Sequence, residues 1–221
     1  DSSIGSSNIY IELIMTTYRA IHGKTIQHVS SDPDSAAYEG QLWFNTTSSD
    51  YKTIVKVAGS WSTGGTLNTA KAKPGGSGLQ TAAAAFGGTG AEAETEVYNG
   101  TSWTESGDLN TGRGDGAGLG LSTAALFAGG ETATAYTGIN ESYDGSSWTE
   151  TGDLNTARGA TAGCGITTAA LAVSGATGSP NFTQLNESFD GSSWTEVGDL
   201  AQGKNGGECV GTTSAALYFG G

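Results

Sequence analysis

The chain has 221 residues, enough for one ordinary domain or two small ones. It contains 37 glycines but only 3 prolines, and this composition excludes collagen and a proline-rich linker. Its net charge of −13 opposes binding to nucleic-acid phosphates or to an anionic membrane surface, and no segment has the ~20 apolar residues of a membrane span.

The first 53 residues differ in character from the rest of the chain. Residues 1–14 precede Met15, the only methionine, and we expect them to be a leader or an upstream segment. Residues 15–53 include the run EGQLWFNTTSSDYK, in which apolar and polar residues alternate before a turn of small polar residues. This alternation predicts a β-hairpin. The run is similar to a hairpin module of bacteriophage tail-fibre and other virion proteins, and the resemblance implies an N-terminal attachment module.

Residues 54–221 contain four copies of one unit, at about 54–88, 89–130, 131–175 and 176–221. Each copy has a tryptophan, a leucine six residues later, a base ten residues later, and a final apolar strand that ends in glycine. Because the aromatic residues recur at set intervals, the repetition is not disorder. The shared positions are Trp61, Trp103, Trp148 and Trp194; Leu67, Leu109, Leu154 and Leu200; and Lys71, Arg113, Arg158 and Lys204.

Each copy divides into four short strands: an alanine-rich run, a Glu-x-Tyr/Phe segment, a segment that begins at the tryptophan, and a glycine-rich stretch. Asn-Gly or Asp-Gly lies between the second and third strands, at Asn99, Asp144 and Asp190, and is a strong hairpin signal. We expect Asp144 and Asp190 to cap these turns through their side chains. No window has a convincing helical period, so the sequence predicts an all-β fold.

The order aromatic residue, Asp-Gly turn, tryptophan, leucine, base, glycine-rich stretch and apolar strand resembles the kelch repeat. In the third copy, Tyr143, Asp144, Trp148 and Arg158 match the motif, whereas Lys56 replaces the aromatic residue in the first. The resemblance implies that each repeat is a four-stranded blade of a β-propeller. Four such repeats would form either a minimal ring or an incomplete one that belongs to a longer array or is completed by partner chains.

The repeats lack the convergent, unlike residues that catalysis needs. Both histidines lie outside them, so we expect no histidine nucleophile, no metal site and no cofactor. The recurring Glu96, Glu141 and Glu187, together with the four bases, could form a ligand-reading surface. We expect them instead to make ion pairs and hydrogen bonds that fix loops.

The two cysteines, Cys164 and Cys209, lie in corresponding segments of neighbouring repeats but one position out of register. A one-residue offset on a strand turns side chains to opposite faces. This argument favours two separate buried thiols over a disulfide.

The segments that join one repeat to the next are the only parts that vary in length, at 89–95, 131–140 and 176–186. Recognition usually resides in such loops on a rigid scaffold. The candidate contact residues are Pro180, Asn181, Phe182 and Gln184.

Together the hairpin module and the repeats favour a non-enzymatic phage virion protein, a tail fibre or exterior appendage. Its expected partners are other virion proteins, further copies of the chain, and a host-surface glycan or protein. An extracellular cellular adhesin or scaffold is the alternative. A glycan-processing enzyme is disfavoured, because SYDGSSW resembles the sialidase Asp-box but is one residue too short.

Overall fold

The computed structural model describes residues 27–30, 42–53, 63–178 and 181–221, and the regular elements in these ranges are all β-strands. The all-β prediction is therefore confirmed. The chain divides into two compact units, Asp1–Ser62 and Thr63–Gly221. In the described ranges there is no helix of the length and apolarity needed to cross a membrane.

The described part of the first unit is a three-stranded sheet of β1 (Gln27–Val29), β2 (Leu42–Asn45) and β3 (Asp50–Thr53). Strands β2 and β3 form the antiparallel hairpin that the sequence predicted. The side chain of Asn45 closes its turn, because Oδ1 accepts the backbone N–H groups of Thr47 and Ser48 at 2.9 and 3.1 Å. Strand β1 pairs in parallel with β2.

The second unit contains three four-stranded antiparallel sheets and one two-stranded sheet. Sheet I consists of β4 (Gly75–Leu79), β5 (Ala82–Gly88), β6 (Glu92–Tyr98) and β7 (Trp103–Ser106). Sheet II consists of β8 (Ala117–Leu121), β9 (Ala124–Ala128), β10 (Asn140–Tyr143) and β11 (Trp148–Glu150). Sheet III consists of β12 (Ala162–Ile166), β13 (Ala169–Gly178), β14 (Asn181–Phe189) and β15 (Trp194–Val197). The terminal hairpin consists of β16 (Gly207–Thr212) and β17 (Ala215–Gly220).

In every sheet of the second unit the glycine-rich strand comes first and pairs with the alanine-rich strand that follows it. In sheet I a two-residue turn joins them, with Leu79 opposite Ala82. Gly78, one residue before the end of β4, has a φ of +102°, and a Cβ there would collide with the carbonyl oxygen of Ala82. The other three sheets repeat this arrangement, so a glycine is required at one fixed position in each hairpin.

This pairing corrects the predicted order of strands. The expectation of four four-stranded repeats is wrong for the described residues, which form three four-stranded sheets and one two-stranded sheet. The predicted repeat boundaries fall inside sheets: those after residues 88 and 130 lie between the second and third strands, and that after residue 175 lies within β13. The reason is the two-residue turn ahead of each alanine-rich strand, which contains only Gln, Ser and Thr and so lacks the strong turn signals of Gly, Pro, Asn and Asp.

Successive sheets pack with their first strands, β4, β8, β12 and β16, side by side. A series of backbone hydrogen bonds, here called the inter-sheet ladder, connects them at one end. Each backbone N–H donates to the carbonyl of the equivalent residue one sheet earlier: Asp115 to Lys73 at 2.9 Å, Ala160 to Asp115 at 2.6 Å, and Gly206 to Ala160 at 3.2 Å. All four residues have φ between 49° and 65°. Among the described residues, the sheets do not close into a ring.

The apolar core lies between the sheets. At the junction of sheets I and II, the Trp148 ring meets Phe86 edge to face, with centroids 4.8 Å apart, and Phe86 also meets Phe127 at 5.1 Å. The Trp148 indole donates to the Thr95 hydroxyl at 2.9 Å, so its polar atom is satisfied within the core. Such aromatic pairs add about 0.5–1.5 kcal/mol each beyond their buried area.

Candidate functional site

Glu141 is the centre of a fully buried polar cluster in sheet II. Its carboxylate accepts the backbone N–H of Asn110 at 2.7 Å, the Asn110 side-chain amide at 2.8 Å, and the N–H of Thr111 at 3.3 Å. Asn110 and Thr111 belong to the segment that leads from sheet I to sheet II. The buried carboxylate therefore holds this connection against sheet II.

Arg113, in the same connecting segment, forms an ion pair with Glu141, and both side chains are fully buried. Its guanidinium also donates to the carbonyls of Gly129 at 3.0 Å and Phe127 at 2.7 Å, and it lies 4.6 Å above the Phe127 ring. Burial lowers the pKa of Arg113, while the hydrogen bond to Glu141 raises it. An arginine stays protonated in such a site, so the pair remains charged.

Sheet III repeats this cluster with fewer bonds. Glu187 accepts the N–H and side-chain amide of Asn155 at 2.7 and 2.8 Å, and it lies 3.3 Å from Arg158. Arg158 donates to Ala172 at 3.3 Å, whereas its Nε and Nη1 have no hydrogen-bond partner. Ion pairs that fix loops, as predicted, are thus present in sheets II and III. Because these groups are buried, they are not a ligand-reading surface.

The outer repeats depart from this arrangement. In sheet I, Glu96 accepts the N–H groups of Asn68 and Thr69, while Lys71 donates to the Glu94 carbonyl at 3.0 Å. In the terminal hairpin, Lys204 donates to the carbonyl of Gly221 at 3.1 Å. The bases at the two ends therefore bind backbone carbonyls instead of a buried carboxylate.

The predicted tryptophans and leucines lie in the cores between sheets where both neighbours are present. Trp148, Trp194, Leu109 and Leu154 are buried. Trp103, Leu67 and Leu200 are half-buried, and Trp61 lies outside the described residues. These are scaffold positions, as the repeat pattern indicated.

The Asp-Gly turns have the predicted caps. Asp144 Oδ1 accepts the N–H groups of Ser146 and Ser147, each at 2.8 Å, and Asp190 binds Ser192 and Ser193 in the same way. The N–H of Ser147 and then that of Ser146 lower the pKa of Asp144 to about 2. The equivalent bonds lower the pKa of Asp190 to about 2.

The segments of variable length join the second and third strands of one sheet, not one repeat to the next as expected. In sheet I the link is residues 89–91, and in sheet II it is longer. In sheet III it is absorbed into β13 and β14, which pair out to Gly178 and Asn181. Phe182 is half exposed there, and the Gln184 amide lies 3.4 Å from Asp199. Pro180 lies outside the described residues.

A polar cavity of about 430 Å³ opens at the inter-sheet ladder. Its walls are mostly the glycine- and alanine-rich starts of the first strands, with an ion pair of 2.7 Å between Lys73 and Asp115 and with Glu208 nearby. A cleft of about 300 Å³, lined by Asp115 and Glu131, adjoins it. The repeat pattern did not identify these residues, because the side chains at this level differ from sheet to sheet.

Metal-binding clusters of three or more His, Cys, Asp or Glu are absent from the part of the chain that the structure describes. His28 lies in β1, and His22 falls outside the described residues.

The two cysteines are free buried thiols, as expected, but their side chains meet instead of pointing apart. The Sγ atoms of Cys164 and Cys209 are 2.7 Å apart, and both residues are buried. Only the expected orientation was wrong, because the two strands belong to different sheets. When one sheet packs on the next, side chains on opposite faces of equivalent strands point into the same interface.

Comparison with known proteins identifies no relative: no family model matches the chain, and no curated protein matches it. The sheets themselves provide the useful comparison. The shared tryptophan, glutamate and arginine of sheets II and III are buried, whereas the side chains around the polar cavity differ from sheet to sheet.

Proposed function

We propose that the chain is a non-enzymatic structural protein of a bacteriophage virion, a tail fibre or exterior appendage that displays attachment segments. The observation that carries the proposal is the EGQLWFNTTSSDYK hairpin, which resembles a virion module and precedes the repeats. The β2–β3 pairing of residues 42–53 supports this resemblance. Its partners are then other virion proteins, further copies of the chain, and a glycan or protein of the host surface.

The sheets of the second unit are proposed to be blades of a kelch-like β-propeller. Two features support this: their first strands lie side by side, and one ladder of backbone bonds joins equivalent positions in successive sheets. In this scheme, the terminal hairpin corresponds to the first two strands of a fourth blade.

The division of residues between core and surface supports a scaffold that displays ligand-binding segments. The repeated Glu, Arg and Trp side chains of sheets II and III are buried, and this arrangement supports a rigid frame. The variable segment of sheet III carries Phe182 and Asn181 at its exposed end. An exposed aromatic ring beside amide groups is suited to contact with a sugar or a protein surface.

Mass spectrometry of purified virions tests the proposal. Detection of this polypeptide at structural copy number would support it, and absence from the virions would overturn it. Genes for a baseplate and tail beside its own gene would agree with the proposal, whereas secretion genes would favour the extracellular adhesin.

A binding assay tests the attachment role separately. The fluorescently labelled chain should bind host cells, and Phe182→Ala should weaken binding by about tenfold if the ring is a central contact. The matched control is Ile166→Ala, which removes a similarly exposed apolar side chain from the end of β12. Equal loss in both variants would contradict a specific role for Phe182.

A further inference from the structure

The buried pair Cys164 and Cys209 lies where sheet III meets the terminal hairpin. Cys164 is in β12 and Cys209 in β16, two first strands that contact each other. Ala162 and Val173 bury the sulfur atoms together with Leu171, Leu200 and Tyr218. The chain has no other cysteine, so each thiol has one possible intramolecular partner.

We propose that Cys164 and Cys209 form a disulfide that links the terminal hairpin to sheet III. The sulfur atoms are 2.7 Å apart, and an S–S bond is about 2.05 Å long. Bond formation therefore requires only a small further approach of the two side chains.

A low-molecular-weight disulfide such as oxidised glutathione supplies the oxidant. One cysteine thiolate attacks a glutathione sulfur, forms a mixed disulfide and releases one glutathione thiolate. The second cysteine thiolate then attacks the protein sulfur of that mixed disulfide and releases the other glutathione. The protein loses two thiol hydrogens, which end on two reduced glutathione molecules, so the exchange balances.

Burial controls when this exchange occurs. Burial, together with the hydrogen bond to Cys164, raises the pKa of Cys209 to about 12. Because the thiolate is the reactive form, the closed structure exchanges slowly. The bond therefore forms during folding or when the terminal hairpin opens, and once formed it is shielded from reductants.

The link would reinforce the part of the second unit that has the fewest strands. The terminal hairpin has two strands, and an isolated two-stranded hairpin is marginally stable in water. The cysteines are 45 residues apart in the sequence, so the bond restricts a long loop in the unfolded chain.

The test uses the full-length chain, reduced and unfolded, then refolded in the presence of oxidised glutathione, acid-quenched, unfolded again and alkylated. We expect monomers that have lost two hydrogens and take up no alkylating agent. Trypsin cleaves after Lys204, so it should yield peptides 159–204 and 205–221 joined by the disulfide. Cys209→Ser is the control and should yield no such link.

Stability provides a second readout that does not depend on a variant. The oxidised wild-type chain should unfold at a temperature roughly 5 °C or more above that of the reduced chain. When the oxidised chain is unfolded, treated with a reductant and refolded, its unfolding temperature should fall to that of the reduced chain. Two alkylated cysteines, glutathione adducts alone, or disulfides only between chains would each overturn the proposal.

Discussion

Sheet II and the terminal hairpin share a nearly identical second-strand segment but place it in different environments. Their second strands read AALFAGG and AALYFGG. Leu126 in sheet II is fully buried, whereas its counterpart Leu217 is 63% exposed, and Ala128 is buried whereas Phe219 is 50% exposed. The difference is the next sheet, which covers sheet II but has no counterpart beyond the hairpin in the described residues. A repeat of this kind is stabilised by its neighbours more than by its own sequence.

The polar residues show the same contrast. In sheet II, Arg113 is fully buried and neutralised by Glu141 from the third strand of its own sheet. In the terminal hairpin, the equivalent base, Lys204, binds the carbonyl of Gly221. The buried ion pair thus occurs in sheets II and III, where the base is an arginine and the sheet has its third strand. Four experiments test how far this contrast extends.

The largest expected effect is that of Glu141→Gln. The substitution preserves the shape of the side chain but leaves the buried Arg113 charge without a counter-ion, so we expect a loss of about 3–5 kcal/mol in the free energy of unfolding. Urea denaturation followed by tryptophan fluorescence measures it. Lys204→Met, the matched change in the hairpin, should cost less than about 1 kcal/mol. Similar losses in both would show that the two bases do not differ in role.

Truncation of the equivalent leucines gives the next effect. Leu126→Ala should cost about 2–5 kcal/mol, because it removes buried methyl groups and leaves a cavity. Leu217→Ala removes a mostly exposed side chain and should change stability by no more than about 0.5 kcal/mol. Chemical denaturation of both variants under the same conditions measures the difference. If Leu217→Ala costs as much as Leu126→Ala, another surface covers the hairpin in solution.

Thr95→Val tests the junction of sheets I and II. The valine keeps the shape but leaves the buried Trp148 N–H without an acceptor, which should cost about 1–3 kcal/mol. Trp194, at the junction of sheets II and III, has no partner for its indole nitrogen in the structure. Removal of the Trp148 hydrogen bond should make the local stability of the junction of sheets I and II more like that of the junction of sheets II and III. Hydrogen exchange at the two junctions measures this local stability. An unchanged stability would mean that water satisfies the freed N–H.

The smallest expected effect is a change in the acid stability of the protein when the aspartates of the exposed turns are replaced. Asp144 and Asp190 have pKa values of about 2 in the fold, below the about 3.9 of an unfolded aspartate. A lowered folded pKa stabilises the protein above the unfolded value, and this stabilisation is lost as the pH falls from about 4 to about 2. The double variant Asp144→Asn, Asp190→Asn should keep its turns, since Asn99 caps the equivalent turn of sheet I, and should lose less stability over this range. Thermal unfolding at a series of pH values measures the slope; an unchanged slope would contradict the assignment.

The sequence was most informative where the signal is local. Hairpins at Asn99 and Asp144 follow from turn chemistry, and the burial of Trp148 and Leu109 follows from a fixed spacing. These features depend on residues close in the chain, so the pattern was enough to predict them.

The features that could not be predicted depend on how distant segments meet. The pairing of β4 with β5 uses a Gln-Thr turn, which has no distinctive turn signal. The parallel pairing of β1 with β2 joins strands separated by a long connection. The approach of Cys164 to Cys209 depends on which faces of two sheets pack together, and register within one strand carries no information about that.

The inter-sheet ladder has a consequence for how such a protein can evolve. It is built from backbone groups alone, at positions occupied by Lys73, Asp115, Ala160 and Gly206. The left-handed backbone disfavours β-branched residues there, but it sets no requirement for charge or for polarity. The Lys73–Asp115 pair is partly exposed and contributes little to stability. The rim of the polar cavity can therefore accept new side chains while the scaffold beneath it stays the same.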